Sequence, residues 1–468
     1  MLDLAKKTLR YAEKFSDYTE VRFENLKTNR VIVKNGNLEA TEVNKIFGIS
    51  IRVLKNGFLG FVSTNNLKFS NLKKQVNKAL KLANYSKNIL KKPVKLSEEK
   101  AFKDKYNVKE KIKLENISLE EKINKVFEIE KALIKTKIKL PIRLLEYSDE
   151  IKEKTFINSE GSLIQSKVPR ISFDYVITFI SNGSSEQRVF QFGGVGSWEL
   201  LRQWKLKQKI LEEAKTLPKI AKAKKLPKDK YDVILSPELT GIASHESCGH
   251  PYEADRILGR EAAQAGKSFV KKDMLGQKIG SEVVSVVDDP TIPNSYGFYL
   301  YDDEGIKARR RFLIKNGIIN AFLQNRETAA EFGIASNGSS RAKAYFSEPI
   351  VRMANTFVLP GDYSFEELLE TIKKGVYIKS YMEWNIDDKR YNQKYTGLES
   401  YLIKNGKITK LIKAPTLEIT TPAFWSSIDA VGKKLDFAAG SCGKSDPMQP
   451  MPVWFGGPDI RLRNIFLV

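Results

Sequence analysis

Hydrophobic and polar positions alternate along this chain in two clear periods. Leu2, Leu4, Ala5, Leu9, Ala12 and Phe15 fall mostly on one stripe at 3.6-residue spacing, which predicts an opening helix. Val21 and Phe23 then alternate with charged neighbours, and Val31 and Val33 lead into Asn35-Gly36. Ile49, Ile51 and Val53 lead into Asn56-Gly57, and Phe58 to Val62 returns. Asn-Gly between alternating runs predicts tight hairpins, because both turn residues must adopt positive φ. A second helix carries Leu72, Val76, Ala79, Leu80 and Ala83 on one face.

Residues 86–114 are Lys-rich and weakly periodic, and read as a loop or extended linker. Ser118 and Glu121 form a capping box ahead of a helix bearing Leu119, Ile123, Val126, Phe127 and Ile134. Strands are expected from about Arg143 to Phe192, broken at Asn158-Ser159-Glu160-Gly161 and Ser181-Asn182-Gly183. A helix from about Trp198 should end near Pro218.

The Lys- and Pro-rich stretch from Ala221 to Lys230 marks the expected boundary. It separates an N-terminal α+β domain, 1–220, from a β-rich domain, 231–468, with 221–230 as linker. Beyond it, Val233 to Leu235 reads as a strand, and Ser236-Pro237 opens a helix with Ser as N-cap. Val283–Val287, Tyr299–Tyr301, Arg311–Ile314 and Phe357–Leu359 suggest a mostly antiparallel sheet system, with Asn316-Gly317 and Asn405-Gly406 as further hairpins. One more helix is expected from Ser364 to Lys374. The fold class is therefore α+β: antiparallel hairpins flanked by helices, then a sheet-rich domain carrying the helix that bears the candidate chemistry.

The 468 residues are 41% hydrophobic and 10% aromatic, which excludes a disordered or fibrous chain. Two cysteines, Cys248 and Cys442, exclude a disulfide scaffold. No stretch approaches the roughly 18 apolar residues of a membrane span, and the first residues lack a signal-like apolar run, so a cytoplasmic protein is the expectation. Lys and Arg total 79 against 56 acids, a net charge of +23. That excess invites anionic partners, but it is spread along the chain and reads as a Lys-rich solvated surface. Arg309-Arg310-Arg311 reads likewise as a solvated strand face, and no nucleic-acid reader module is present.

The chain's two histidines stand five apart in His245-Glu246-Ser247-Cys248-Gly249-His250, on the helix opened by Ser236-Pro237. In an ideal α-helix that spacing puts them about 140° apart. Convergence on one metal needs either a π-bulge or loosening at Gly249 before Pro251. A catalytic zinc site takes three protein ligands and leaves one position open, whereas a structural one takes four. Two histidines leave a third ligand to be found, and the residues alone leave Cys248 and Cys442 as alternatives. Glu246 is placed where a metallopeptidase keeps its general base.

The motif, continued by Pro251-Tyr252-Glu253-Ala254, resembles that of the TldD/PmbA proteins, and more closely the TldD branch. Asp302-Asp303-Glu304-Gly305, Arg352-Met353-Ala354-Asn355-Thr356, Leu359-Pro360-Gly361, Cys442-Gly443-Lys444, Gln449, Pro452-Val453, Gly457-Pro458 and Arg461 follow in the family's order, with Asn158-Ser159-x-Gly161 before them. The resemblance implies a zinc metalloprotease acting on unfolded proteins or peptides. It implies His245, His250 and Cys442 as ligands of Zn2+ and Glu246 as the catalytic base. It also implies a dimer, with a second copy or with a metal-free TldE/PmbA-like paralogue; no membrane partner is expected, since no apolar span is present. The family's association with DNA gyrase makes a regulatory, non-peptidase role the alternative. Where TldD proteins often carry a glycine-rich run, this chain has Tyr381-Met382-Glu383-Trp384-Asn385-Ile386-Asp387-Asp388, a departure that bears on the substrate-cleft wall. Asp302, Asp303 and Glu304 read as a turn; Arg352 and Asn355 could line the cleft or satisfy buried backbone.

Overall fold

A computed structural model describes residues 1–89, 92–181, 183–261 and 266–468. Residues 90 and 91 of the expected linker, and Asn182 of an expected strand break, lie outside the described residues. The fold is α+β. Among the described residues no helix is long and apolar enough to cross a membrane.

The N-terminal hairpins form as the pattern predicts. Strands Tyr18–Lys34, Asn37–Lys55 and Phe58–Thr64 turn at Asn35-Gly36 and Asn56-Gly57, all four with positive φ. They join Ile142–Asn158, Leu163–Ser181 and Ser184–Val195 in a seven-stranded sheet. Helices Leu2–Ala12 and Phe69–Ser86 bury the expected apolar stripes. Helix Leu119–Lys135 starts at the Ser118–Glu121 capping box, with both reciprocal hydrogen bonds made.

Two readings of this half need correction. The stretch 86–114 contains a strand, Lys103–Asn107, parallel to the start of Leu163–Ser181. Only Tyr106 in it is half-buried, so pairing rather than apolar patterning holds it there. The expected helix from Trp198 is two, Leu200–Gln203 and Leu206–Ala221, separated at Lys205 with φ +50°. Pro218 lies inside the second. It forfeits one hydrogen bond in the last turn, while buried Leu217 and Ile220 keep that turn packed.

The second half contains two larger sheets. One has six strands in the order Ile318–Ile319, Arg311–Lys315, Val286–Asp288, Asn355–Val358, Met451–Gly457, Asp436–Cys442. The other has nine: eight run from Tyr381–Ile386 at one edge, through Asn392–Gly397, Thr416–Thr420, Ile460–Leu467, Asp229–Leu235, Lys374–Ile378 and Ser400–Lys404, to Lys407–Ile412, and Ile428–Val431 pairs with Ile460–Leu467 off this path. Antiparallel pairing dominates, with parallel exceptions at Asn355–Val358 on Met451–Gly457 and Lys374–Ile378 on Asp229–Leu235. Tyr299–Tyr301 is not a strand: Tyr301 makes one isolated bridge, and the two hydroxyls anchor to Gly338 O and Asp104. The last expected helix stops at Glu370, because Lys374–Ile378 is drawn into the sheet.

Helix Pro237–Ser244 sits in the core between these sheets. Leu239, Ile242 and Ala243 are buried with Val358 and Val453. At Gly241 a β-carbon would lie 2.6 Å from Gly456 N, so only glycine permits this close approach to Met451–Gly457. That contact brings the helix's C-terminal end beside the strand that ends at Cys442.

The halves are joined by buried ion pairs. Lys154 Nζ lies 2.7 Å from Asp303, and Arg52 Nη2 lies 2.6 Å from Glu304. Burial opposes ionisation of Asp303, but Lys154 and Arg22 hold its carboxyl below the usual range. Asp303→Asn leaves the Lys154 ammonium without its counter-charge and should cost on the order of 3 kcal/mol in urea unfolding at pH 7. The stabilisation is complete above the unfolded carboxyl's pKa of about 4 and fades as acid protonates the folded group. The gap between wild type and variant should therefore narrow below about pH 4; a gap that stays constant into acid would contradict this origin.

Candidate metal centre and cleft

Helix Pro237–Ser244 widens into a π-helical turn, His245–Gly249, followed by a 3-10 turn, His250–Tyr252. Of the two local geometries the spacing required, the π turn is the one adopted. Its extra residue per turn places positions five apart on one face. The two imidazoles lie 4.8 Å apart between centroids at 81°. Tertiary contacts hold the wide turn. Ser247 Oγ bonds Gln393, and a β-carbon at Gly249 would overlap Met353.

Cys442 ends the strand Asp436–Cys442, and its Sγ lies 3.4 Å from His250 Nε2. One donor atom from each of His245, His250 and Cys442 lies within 4.8 Å of the others, all buried. Arg352 donates to the Cys442 carbonyl and, at 2.5 Å, to Gln449 O. Asn355 donates to Asp289 O at 2.6 Å and accepts from Gly297 N and Trp454 N. Both side chains therefore satisfy buried backbone. Cys248, the alternative third ligand, is buried in the hydrophobic core and is not among these converging donors, and burial pushes its thiol well up.

Behind His250 stands a charged support. Its Nδ1 lies 3.1 Å from Glu253 Oε2, which also accepts from Arg256 Nε at 2.7 Å and faces Lys444 Nζ at 3.3 Å. Burial works against the Glu253 carboxylate, but Lys444, His250 and Arg256 hold it well below the ordinary range. A carboxylate there fixes the proton on Nδ1 and leaves the Nε2 lone pair toward Cys442. Burial raises the Cys442 thiol, yet an imidazolium at His250, with Arg352, would outweigh it and bring it down to about 7. Burial lowers His245, against the pull of Glu246 and Glu253, which favours the neutral, ligating form. The buried His245 Nδ1 makes no hydrogen bond.

Glu246 borders the same space. Burial would raise its carboxyl, but His250 and Arg390 hold it below the ordinary value, with Arg390 Nη1 bonded to it. Both histidines, Glu246 and Cys442 face a cavity of about 470 Å³. Tyr381 and Trp384 line it too, 5.1 Å apart edge to face, so the segment that departs from a glycine-rich run forms an aromatic wall.

The remaining polar motifs are architectural. Asp302 accepts backbone N–H groups from Glu304, Ile306 and Ser340, as a turn residue does. The expected solvated face at Arg309–Arg311 is only partly so. Arg309 and Arg310 are exposed, but Arg311 is buried and pairs with Asp288, because its strand lies inside the six-stranded sheet. Arg390, Glu253 and Lys444 join the site only through the folded structure. Glu253 carried a faint signal, three positions after His250; Arg390 carried none.

Family models match most of the chain: PmbA/TldA metallopeptidase domain 1 at residues 19–83, the central domain at 112–220 and the C-terminal domain at 228–467. A metalloprotease of Methanocaldococcus jannaschii is 35% identical, covering 95% of this chain and 96% of its own. A zinc metalloprotease TldD homolog of Saccharolobus solfataricus is 26% identical over 96% of each chain. In fold, the chain resembles TldE from Thermococcus kodakarensis, with a TM-score of 0.74, 18% identity, and coverage of 99% of this chain and 100% of that one.

Proposed function

This chain belongs to the PmbA/TldD metallopeptidase family, on its TldD side, and from that premise we propose a zinc-dependent hydrolysis of peptide bonds in unfolded proteins or peptides. His245, His250 and Cys442 hold the ion, and Glu246 is the general base. The observation that carries this reading is the convergence of three buried donors beside a carboxylate on one cavity.

The donors fit zinc. Two imidazoles, one of them with a buried ring nitrogen (His245 Nδ1) that no hydrogen bond occupies, and a thiol of lowered pKa are a borderline-soft set, and three protein ligands leave one position open. When bound, the ion supplies a Lewis acid and a water of lowered pKa. Glu246 is ionised at neutral pH, takes the proton of the attacking water and returns it to the leaving amine. Arg390 orients its carboxylate, and Glu253 holds the His250 ring in place.

An extended substrate is supported by the edge strand Asp436–Cys442. Opposite Ala439, Trp454 N turns instead to Ala354 O, and opposite Ser441 stands Pro452, which has no N–H. Both are thus non-hydrogen-bonded pairs, so the backbone of Ala439 and Ser441 faces away from the partner strand. A peptide could add there as a further strand with little sequence preference. Pairing with a second copy or a metal-free TldE/PmbA-like paralogue is part of the proposal. It is supported by Leu38, Val43, Ile46 and Phe47, exposed where Asn37–Lys55 extends beyond its neighbour Phe58–Thr64.

The test is metal content measured alongside proteolysis of an unfolded protein. About one zinc per chain, with cleavage abolished by a chelator and restored by zinc, is the expected result. Full cleavage by chelator-stripped protein would refute it.

A further inference from the structure

A second cavity, of about 310 Å³, adjoins the first: Ser441, the neighbour of Cys442, lines both. Its wall is strongly cationic, with Lys152, Lys154, Arg170, Arg341 and Lys343. Two of these are neutralised, Lys154 by Asp303 at 2.7 Å and Arg170 by Glu150 at 2.8 Å. The other three make no ion pair among the described residues.

Arg341 is the unusual one. Only 3% exposed, its guanidinium donates to two carbonyls, Met353 O at 2.6 Å and Pro452 O at 2.9 Å, and to no carboxylate. Asp302, on the same wall, spends its oxygens on backbone N–H groups. Lys152 Nζ donates only to Lys343 O, at 2.8 Å, and Lys343 is exposed. A buried guanidinium with no carboxylate at ion-pair distance is costly, and Asp303 and Glu150 act on this one only from farther off. Burial, with Arg170 and Arg352 nearby, outweighs the pull of Tyr299 and Asp303 and brings Arg341 down to about 10. A cavity open to ligand with such a wall attracts a carboxylate, which guanidinium and ammonium donors bind with charge-assisted hydrogen bonds.

We propose that this cavity is an anionic-group subsite of the peptidase, taking a carboxylate of the peptide whose backbone lies in the neighbouring cavity. The source of that carboxylate is the substrate itself, an Asp or Glu side chain or the free C-terminus, because Ser441 joins the two walls one residue from a proposed metal ligand. The inference rests on the peptidase reading above. It adds a preference for acidic substrates to an edge-strand mode that would otherwise be indifferent to sequence.

The experiment compares matched peptides on the zinc-loaded enzyme: one with a Glu and a free C-terminus, one with Gln in its place, and one amidated. The acidic peptide should be favoured in kcat/KM by about tenfold, equivalent to about 1.4 kcal/mol, and less so at high salt. Whether the Gln or the amide peptide loses the advantage identifies the source. Lys343→Gln, at an exposed position, should reduce the acid-over-neutral ratio several-fold, and adding Lys152→Gln should bring it near one. No acid preference in wild type, or a ratio that survives both substitutions, overturns the proposal. Binding is read separately, by fluorescence anisotropy of the labelled acidic peptide on Glu246→Gln enzyme, with and without Lys343→Gln. If no peptide is cleaved at all, the function reading fails, while the anisotropy difference still decides whether the carboxylate is bound here.

Discussion

Glu246→Gln should reduce peptide hydrolysis by about 10²- to 10⁴-fold, the usual contribution of a positioned general base. The substitution keeps the side chain's size and an oxygen that Arg390 can still reach, so packing in the π turn is preserved. What it removes is the ability to take a proton. Glu246 is not among the three converging donors, so zinc content should match wild type. The loss should fall on kcat far more than on KM, because proton transfer is a transition-state interaction. Wild-type turnover by this variant would remove Glu246 from the mechanism. Loss of metal together with activity would recast it as a ligand.

Cys442→Ala should abolish both metal retention and activity, and Cys248→Ala neither. The two residues are a matched pair: both are buried thiols, but only Cys442 stands with its sulfur 3.4 Å from His250 Nε2. Removing an outer-sphere partner of a ligating histidine weakens metal binding about 10- to 100-fold, and loss of a direct ligand should exceed that. Cys248→Ala instead trims a core side chain and should cost about 1 kcal/mol of stability, with zinc and turnover retained. Zinc content and circular dichroism of both variants check this together. A zinc-loaded, active Cys442→Ala would show that the third donor lies elsewhere.

Much of the architecture is written locally. Asn35-Gly36, Asn56-Gly57, Asn316-Gly317 and Asn405-Gly406 each close a hairpin, because their chemistry suits the positive φ such turns need. The Ser118–Glu121 box starts its helix for an equally local reason. What failed were features whose energy comes from afar. Lys103–Asn107 is a strand only because Leu163–Ser181 offers it hydrogen bonds. Pro218 stays helical because two neighbours are buried. Tyr299–Tyr301 has strand composition but spends its side chains on anchoring bonds.

The candidate site divides in the same way. His245, Glu246 and His250 were legible, since the five-residue spacing demanded an unusual helix and the chain supplies one. From residues alone Cys442 could not be chosen over Cys248: 192 positions separate it from His250, and sequence distance carries no information on contact once a sheet folds back. Arg390 against Glu246, the Lys444–Glu253 support and the cationic cavity beside Ser441 belong wholly to the tertiary structure. By itself, then, the sequence determined the chain's local geometry and the types of donor available, because turn, cap and helix energies act over a few residues. The folded structure decided which donors meet and what charge surrounds them, because burial and Coulomb interactions depend on distance in space.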